Sequence, residues 1–312
     1  LIFTNKIVKE TDNIYNQRGK HMERGTERTN RRRSCSCTGR KNNEMDIKVD
    51  YKAVEEVVRR AGMMMKEAHL SSDSVQHKEG AANFVTAYDV SIQKFLIEEL
   101  HRIVPEAAFF GEEETEGNTR EKELDSLCFL IDPIDGTTNF MFRYNYSCIS
   151  VGLAYAKEMI AGFVYNPYVD EMFTAVRGNG AYLNGEKIHV PYSGLKDGIA
   201  SFGCARYNNS DTGLLFRVVQ EMFNRSLAVR CGGSAALDLC RVAAGASVVY
   251  LEMKLNPYDY AAASIIIEEA GGVITQIDGS KITLDKPCSI LGAALKAADE
   301  VRDIIKEEIQ KL

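Results

Sequence analysis

Apolar residues recur at helical spacing over residues 49–69 and again over 89–104, which predicts two amphipathic helices. A different pattern follows. Ser126-Leu127-Cys128-Phe129-Leu130 is a short apolar run that reads as a buried strand, and strands are predicted at 147–156, 159–165, 171–176 and 181–183. Turn pairs Asn179-Gly180 and Asn184-Gly185 punctuate the last of these, so the group reads as an antiparallel meander. After Tyr192 the pattern alternates: a strand near Ser201, helix 211–225, strand 227–231, helix 234–244, strand 247–252, helix 257–270, strands 273–277 and 289–294, and helix 296–312. Patterning alone therefore predicts a two-part αβ protein, an α+β half over residues 45–192 and an α/β half over residues 193–312.

Residues 1–44 fall outside this pattern. Residues 1–43 hold eleven Lys/Arg and four Asp/Glu, net +7, which leaves −13 of the total −6 for residues 44–312. Such a polar, basic stretch has too little apolar surface to fold, so it is expected to be a disordered leader. It reads as an upstream extension of a shorter protein starting at Met45, with a nucleic-acid-binding arm as the other reading. The 312-residue chain, 45% apolar, is long enough for one large core or two adjoining ones. It has neither an 18-residue apolar run nor the apolar core of a secretory signal. Eight cysteines lie at 35, 37, 128, 148, 204, 231, 240 and 288 without a disulfide-framework pattern. A reducing cytoplasm is the expected location.

The densest chemistry lies in Ile131-Asp132-Pro133-Ile134-Asp135-Gly136-Thr137-Thr138-Asn139-Phe140. Pro133 fixes φ and has no N–H to donate, so the strand is expected to stop there and a turn to bring Asp132 and Asp135 together. Paired carboxylates suit Mg²⁺, which takes few protein oxygens and fills its other positions with water and phosphate. Gly136 admits a close backbone approach, and the N–H groups of Gly136, Thr137 and Thr138 would face an anion if they open a helix. An Asp-x-x-Asp-Gly turn is also a common solvated loop, so two further segments matter. Gly111-Glu112-Glu113-Glu114 reads alone as a charged surface loop. In Asn256-Pro257-Tyr258-Asp259, a helix cap, first residue and first-turn acid account for everything without a metal.

Taken together, Gly111-Glu112-Glu113, the stretch from Asp132 to Phe140, and Asp259 before Glu269-Ala270-Gly271-Gly272 resemble the inositol monophosphatase family in order and separation. The resemblance runs from about Met45 to the C-terminus and includes Phe84 to Asp89 and Gly233 to Asp238. Thr137-Thr138 matches the inositol-phosphatase form, where sister families carry Thr-Lys or Thr-Arg. Tyr258 departs from the family's usual tryptophan and keeps its aromatic character. The resemblance implies a layered αβαβα sandwich of the inositol monophosphatase/fructose bisphosphatase type, usually a homodimer, and a Mg²⁺-dependent, lithium-sensitive phosphatase. Glu112, Asp132, Asp135, Asp259 and the Ile134 carbonyl would hold two or three Mg²⁺ ions. Glu113 and Thr137 would orient or deprotonate a metal-activated water, with Lys78 and its expected partner Asp89 beside the bound waters. Asp135, Gly136, Thr137, Thr138, Ser234, Ala235 and Glu252 would meet the substrate, Glu252 accepting from the hydroxyls of a polyol.

No Gly-x-Ser-x-Gly, His-Glu-x-x-His or Cys-x-x-Cys appears, and the five histidines are scattered, so a metal-assisted hydrolysis without covalent nucleophile is the consistent reading. The expected substrate is inositol 1-phosphate or a similar small polyol or sugar phosphate. The alternatives are fructose-1,6-bisphosphatase or nucleotide 3′-phosphatase activity, or an RNA-associated interaction factor with a vestigial site.

Overall fold

Hairpin chemistry builds the largest of the three sheets among the described residues. The computed structural model describes residues 48–69, 75–77, 84–113, 124–204 and 212–311; Lys78 and the leader lie outside them. A short antiparallel pair, β1 (Val75–His77) and β2 (Phe84–Thr86), precedes the second helix. The larger sheet then runs in chain order: β3 (Ala108–Gly111), β4 (Leu127–Asp135), β5 (Cys148–Tyr155), β6 (Glu158–Asn166), β7 (Glu171–Val176), β8 (Gly180–Leu183) and β9 (Glu186–Ile188). Only β3 and β4 pair in parallel; the rest is the expected meander. Asn184 and Gly185, both at positive φ (50° and 82°), turn β8 into β9 as the Asn-Gly pair predicts.

The second sheet has the order β11-β10-β12-β14-β13, formed by β10 (Ile199–Phe202), β11 (Ala228–Arg230), β12 (Val249–Leu255), β13 (Val273–Thr275) and β14 (Cys288–Ala293). β12 pairs in parallel with β10 and antiparallel with β14. The helices are α1 (Tyr51–Lys66), α2 (Ala87–Ile103), α3 (Thr137–Met141), α4 (Thr212–Arg225), α5 (Ala235–Ala243), α6 (Pro257–Glu269) and α7 (Leu295–Gln310). Helices α1 and α2 pack on β4, β5 and β6; α4 and α7 pack together on the smaller sheet. Between the sheets lie α5 and α6, touching each other and both sheets. This is the αβαβα sandwich.

The middle layer explains an oddity of α6, in which ten of the thirteen residues are buried. A helix clad by sheets on both sides needs apolar residues all round. Gly152 and Gly162 face each other across β5 and β6. A Cβ on Gly162 would lie 2.3 Å from the Ala262 carbonyl oxygen, and one on Gly152 would lie 3.1 Å from the Ala262 nitrogen. The two glycines thus let α6 lie directly on the sheet.

Pro133 does not end its strand. β4 continues to Asp135, and its pairing slips there: Asp132 stands opposite Ser150 and Asp135 opposite Cys148, three residues against two. The slip is a bulge, where a residue that cannot donate does no harm. It also sets the geometry. In a regular strand, residues three apart face opposite ways; the extra residue returns Asp135 to the face of Asp132.

Candidate active site

The end of β3 beside its parallel neighbour β4 creates the first pair of acids. Gly111 stands beside Ile131, and the Glu112 N–H donates to the Ile131 carbonyl at 3.0 Å, so Glu112 leaves the sheet next to Asp132. Glu113 is held by α2. Its N–H donates to Gln93 Oε1 (3.0 Å), and Gln93 Nε2 donates to its carbonyl (2.5 Å). Asp89 lies four residues before Gln93 on the same helix face. Oxygens of Asp89, Glu112 and Glu113 consequently lie within 4.8 Å of one another.

Asp132 is buried, and its Oδ1 accepts from the Ile134 N–H (3.0 Å). Burial first, then the charges of Glu112, Asp135, Asp259 and Asp89, push its pKa well above the usual carboxylate range. Asp135 is buried too, which raises its pKa, but the start of α5 opposes that rise. The Ser234 hydroxyl donates to its Oδ2, as do the Ala236 N–H (2.8 Å) and the more distant Cys148 thiol (3.7 Å), while Ala235 N–H reaches Oδ1 (3.3 Å). Ser234 is also the cap of α5. Ser234 and Ala235 are thus placed against Asp135.

Asp259 fills the helix-start role considered for it. It is the third residue of α6, Asn256 the cap and Pro257 the first residue, and its Oδ2 accepts from the Asn256 N–H (2.8 Å). Its pKa is nevertheless pushed well up, by burial first and then by Asp135 and Glu112. Tyr258, next to it, packs edge-on against Phe110 at 5.9 Å between ring centres. The aromatic contact joins the segment before Glu112 to the helix bearing Asp259.

Thr137 opens α3, and its hydroxyl donates to the Ile134 carbonyl (3.1 Å). Gly136, at φ 87°, is the cap of that short helix, and Thr138 is exposed. A Cβ on Gly136 would meet the Gly233 carbonyl at 3.0 Å and the Tyr146 carbonyl at 3.2 Å, so only glycine fits both its backbone and its surroundings. Asn139, in the same turn, donates to the Tyr146 carbonyl (2.7 Å) and the Gly232 carbonyl (2.9 Å), tying the approach to β5 to the approach to α5. Glu252 is buried on β12, its Oε2 accepting from the Tyr250 hydroxyl (2.5 Å). Here too the pairing slips by one residue, between Glu252 and Leu255, before α6 begins.

Lys78 lies outside the described residues. The other sequence-predicted residues gather at the strand ends and helix starts of the two sheets. Sequence reasoning missed the roles of Gln93 and Asn139. Asn139 was visible inside the Asp-rich segment; Gln93 gave no signal beyond its place one turn after Asp89.

Carboxylates that raise one another's pKa in a buried setting call for a cation. Every donor is oxygen, the chemistry of hard ions such as Mg²⁺ rather than of thiolate- or imidazole-seeking metals. The residues therefore fit a divalent hard cation.

The profile of the inositol monophosphatase family matches residues 45–310. An inositol monophosphatase 2 of Solanum lycopersicum is 36% identical over 237 residues, 73% of this chain and 88% of that protein. An inositol monophosphatase 1 of Bos taurus is 34% identical over 229 residues, 72% of this chain and 82% of that protein. Among solved structures, the IMPase of Thermotoga maritima superposes with a TM-score of 0.73 at 28% identity, covering 84% of this chain and 98% of that one.

Proposed function

The chain belongs to the inositol monophosphatase family, and we propose that it hydrolyses inositol 1-phosphate or a closely similar polyol phosphate. The observation that carries this is the meeting of Asp132 and Glu112, from one sheet, with Asp259, from the helix between the sheets: Glu112 raises the pKa of both aspartates, and Asp259 that of Asp132. Two or three Mg²⁺ ions are assigned to Glu112, Asp132, Asp135, Asp259 and the Ile134 carbonyl. When bound, they supply charge neutralisation for the phosphate dianion, a lowered pKa for water and a counter-charge for the departing alkoxide.

The chain's own groups do the rest. Glu113, fixed through its backbone by Gln93, takes the proton of the attacking water. Thr137 spends its hydroxyl proton on the Ile134 carbonyl and offers oxygen lone pairs to orient that water. Asp89 lies against Glu112 and Glu113, and Lys78 is assigned beside it. The N–H groups of Gly136, Thr137 and Thr138, at a helix start without intrahelical acceptors, meet the phosphate. Ser234 and Ala235 hold Asp135 at the same end of the site, and Glu252 accepts from the polyol hydroxyls.

The proposal includes lithium inhibition and a homodimer, both implied by the family resemblance. A reducing cytoplasm is supported by the burial of Cys148, Cys240 and Cys288 as free thiols. Residues 1–44 are read as a leader apart from the catalytic unit, supported by the family match beginning at residue 45.

Phosphate release is the test, measured on inositol 1-phosphate, fructose 1,6-bisphosphate and a nucleotide 3′-phosphate. Inositol 1-phosphate should be cleaved fastest with Mg²⁺, with activity lost to a chelator and to millimolar lithium. Faster release from either other ester would move the substrate assignment to that class. Release from none would leave a vestigial site and turn attention to the basic leader and RNA.

A further inference from the structure

Cys204 and Cys231 follow the ends of neighbouring parallel strands. β10 and β11 pair with Ser201 opposite Arg230, and each chain leaves the sheet just before its cysteine. The two sulfurs lie 3.8 Å apart. Cys231 is exposed and Cys204 half-buried, whereas the four other described thiols are buried. A disulfide is about 2.05 Å long, so closure draws the sulfurs together by about 1.8 Å. That closure moves the chain at Cys204 or Cys231 as well as the side chains.

The pair borders the wall that carries Glu252. Gly203, just before Cys204, donates its N–H to the Leu251 carbonyl at 2.9 Å. A Cβ on Gly203 would lie 2.1 Å from Glu252 Oε2 and 2.4 Å from the Tyr250 hydroxyl oxygen. The backbone there is pressed against both groups, and any pull on Cys204 is passed to Glu252. Partial desolvation of the sulfur, then Cys204 and the Asp238 and Glu252 charges, push the Cys231 thiol up to about 12. Exchange at this sulfur therefore quickens as pH rises.

We propose that Cys204 and Cys231 are a reversible dithiol, oxidised by low-molecular-weight disulfides of the glutathione class, and that closing the bridge weakens polyol-phosphate binding at Glu252. One cysteine, as thiolate, attacks the small disulfide and releases one small thiol. The second cysteine then loses its proton, attacks the mixed disulfide and expels the other. The protein gives up two electrons and two protons, and the small disulfide becomes two thiols. The effect on binding rests on the role given above to Glu252; the bridge itself does not.

The full chain carrying Cys35→Ser and Cys37→Ser is treated with glutathione disulfide, alkylated, digested and read by mass spectrometry. A peptide joining Cys204 to Cys231 is expected. With it, KM for inositol 1-phosphate should rise about tenfold, the scale of one lost charge-assisted hydrogen bond. The change in kcat should be smaller, and dithiothreitol should reverse both. Adding Cys231→Ser should abolish the bridge and the KM response to oxidant. Absence of the bridge, or a stable mixed disulfide in the chain with both cysteines, overturns the proposal, and a bridge with unchanged KM overturns its link to Glu252. If inositol 1-phosphate is not a substrate, the proposed function fails while the mass measurement still decides the bridge.

Discussion

Asp132 and Glu252 are both buried acids, yet their surroundings assign them different work. Asp132 is pressed by Glu112, Asp135, Asp259 and Asp89, so a cation among them would favour its charged form. Asp132→Asn removes that charge without deleting an apolar contact. We expect it to fold like the parent and to lose activity by well over tenfold at saturating Mg²⁺, more than about 1.4 kcal/mol of barrier. A variant within tenfold of the parent would remove Asp132 from the metal site. Glu252 stands on β12 with Tyr250 as its hydroxyl donor. For Glu252→Gln, KM for inositol 1-phosphate should rise with a smaller fall in kcat, since an interaction present in ground and transition states is lost from both. Hydrolysis of p-nitrophenyl phosphate, which has no ring hydroxyls, should hardly change. Equal damage to both substrates would place Glu252 with the metals or the fold.

At the scale of elements, the position of Asp259 depends on how closely α6 lies on β5 and β6. Gly162→Ala would drive a methyl group to 2.3 Å from the Ala262 carbonyl oxygen and 2.8 Å from Ile265 Cγ2. Because that carbonyl is backbone, the helix must move, at a cost of about 1–3 kcal/mol. Urea unfolding should show the loss, and activity should fall with it as Asp259 shifts. Gly213→Ala in α4 makes the contrast: its Cβ would meet nothing closer than Arg217 Nη1 at 3.6 Å, and stability should hold or rise. A Gly162 variant as stable as the parent would refute this account of the middle layer. The same elements show what the sequence made legible. Apolar periodicity located α1, α2 and α4 to within a few residues, the Asn256-Pro257 start located α6, and Asn184-Gly185 placed a hairpin. Local rules misjudged Pro133 because a bulge is a property of the pair, and the partner Ser150 cannot be read from the residues around the proline. β3 went unassigned for a similar reason: four residues acquire strand character from parallel pairing with β4. The acids were legible as compact motifs. Their support was not, since Ser234 reaches Asp135 across 99 residues and Asn139 reaches Gly232 across 93.

For the whole molecule, several acids in desolvated surroundings create a cost that bound metal would offset, and this makes stability depend on pH in a definite direction. Burial and neighbouring charge raise the folded-state pKa of Asp132 and Asp259, burial outweighs the hydrogen bonds at Asp135, and Asp238 reaches about 7. An unfolded aspartate titrates near 3.9. Between about pH 4 and 7 the folded protein therefore holds more protons than the unfolded chain, and without metal these groups make it less stable as pH rises. Cations compete for the same carboxylates and bind the deprotonated form, so their stabilising effect must grow in that direction. Metal-stripped protein should melt at a lower temperature near pH 8 than near pH 5.5, and added Mg²⁺ should restore more at the higher pH. At about a hundredfold excess over Kd the gain is about 2.7 kcal/mol, or about 4–5 °C for a chain of this size. Differential scanning fluorimetry across pH, with and without Mg²⁺, reads all of these quantities. Asp132→Asn supplies the decisive comparison, because removing one charge should raise the metal-free melting temperature near pH 8 and shrink the Mg²⁺ response. A Mg²⁺ shift that is flat with pH, or equal in parent and variant, would mean that the cation is held elsewhere than among these carboxylates.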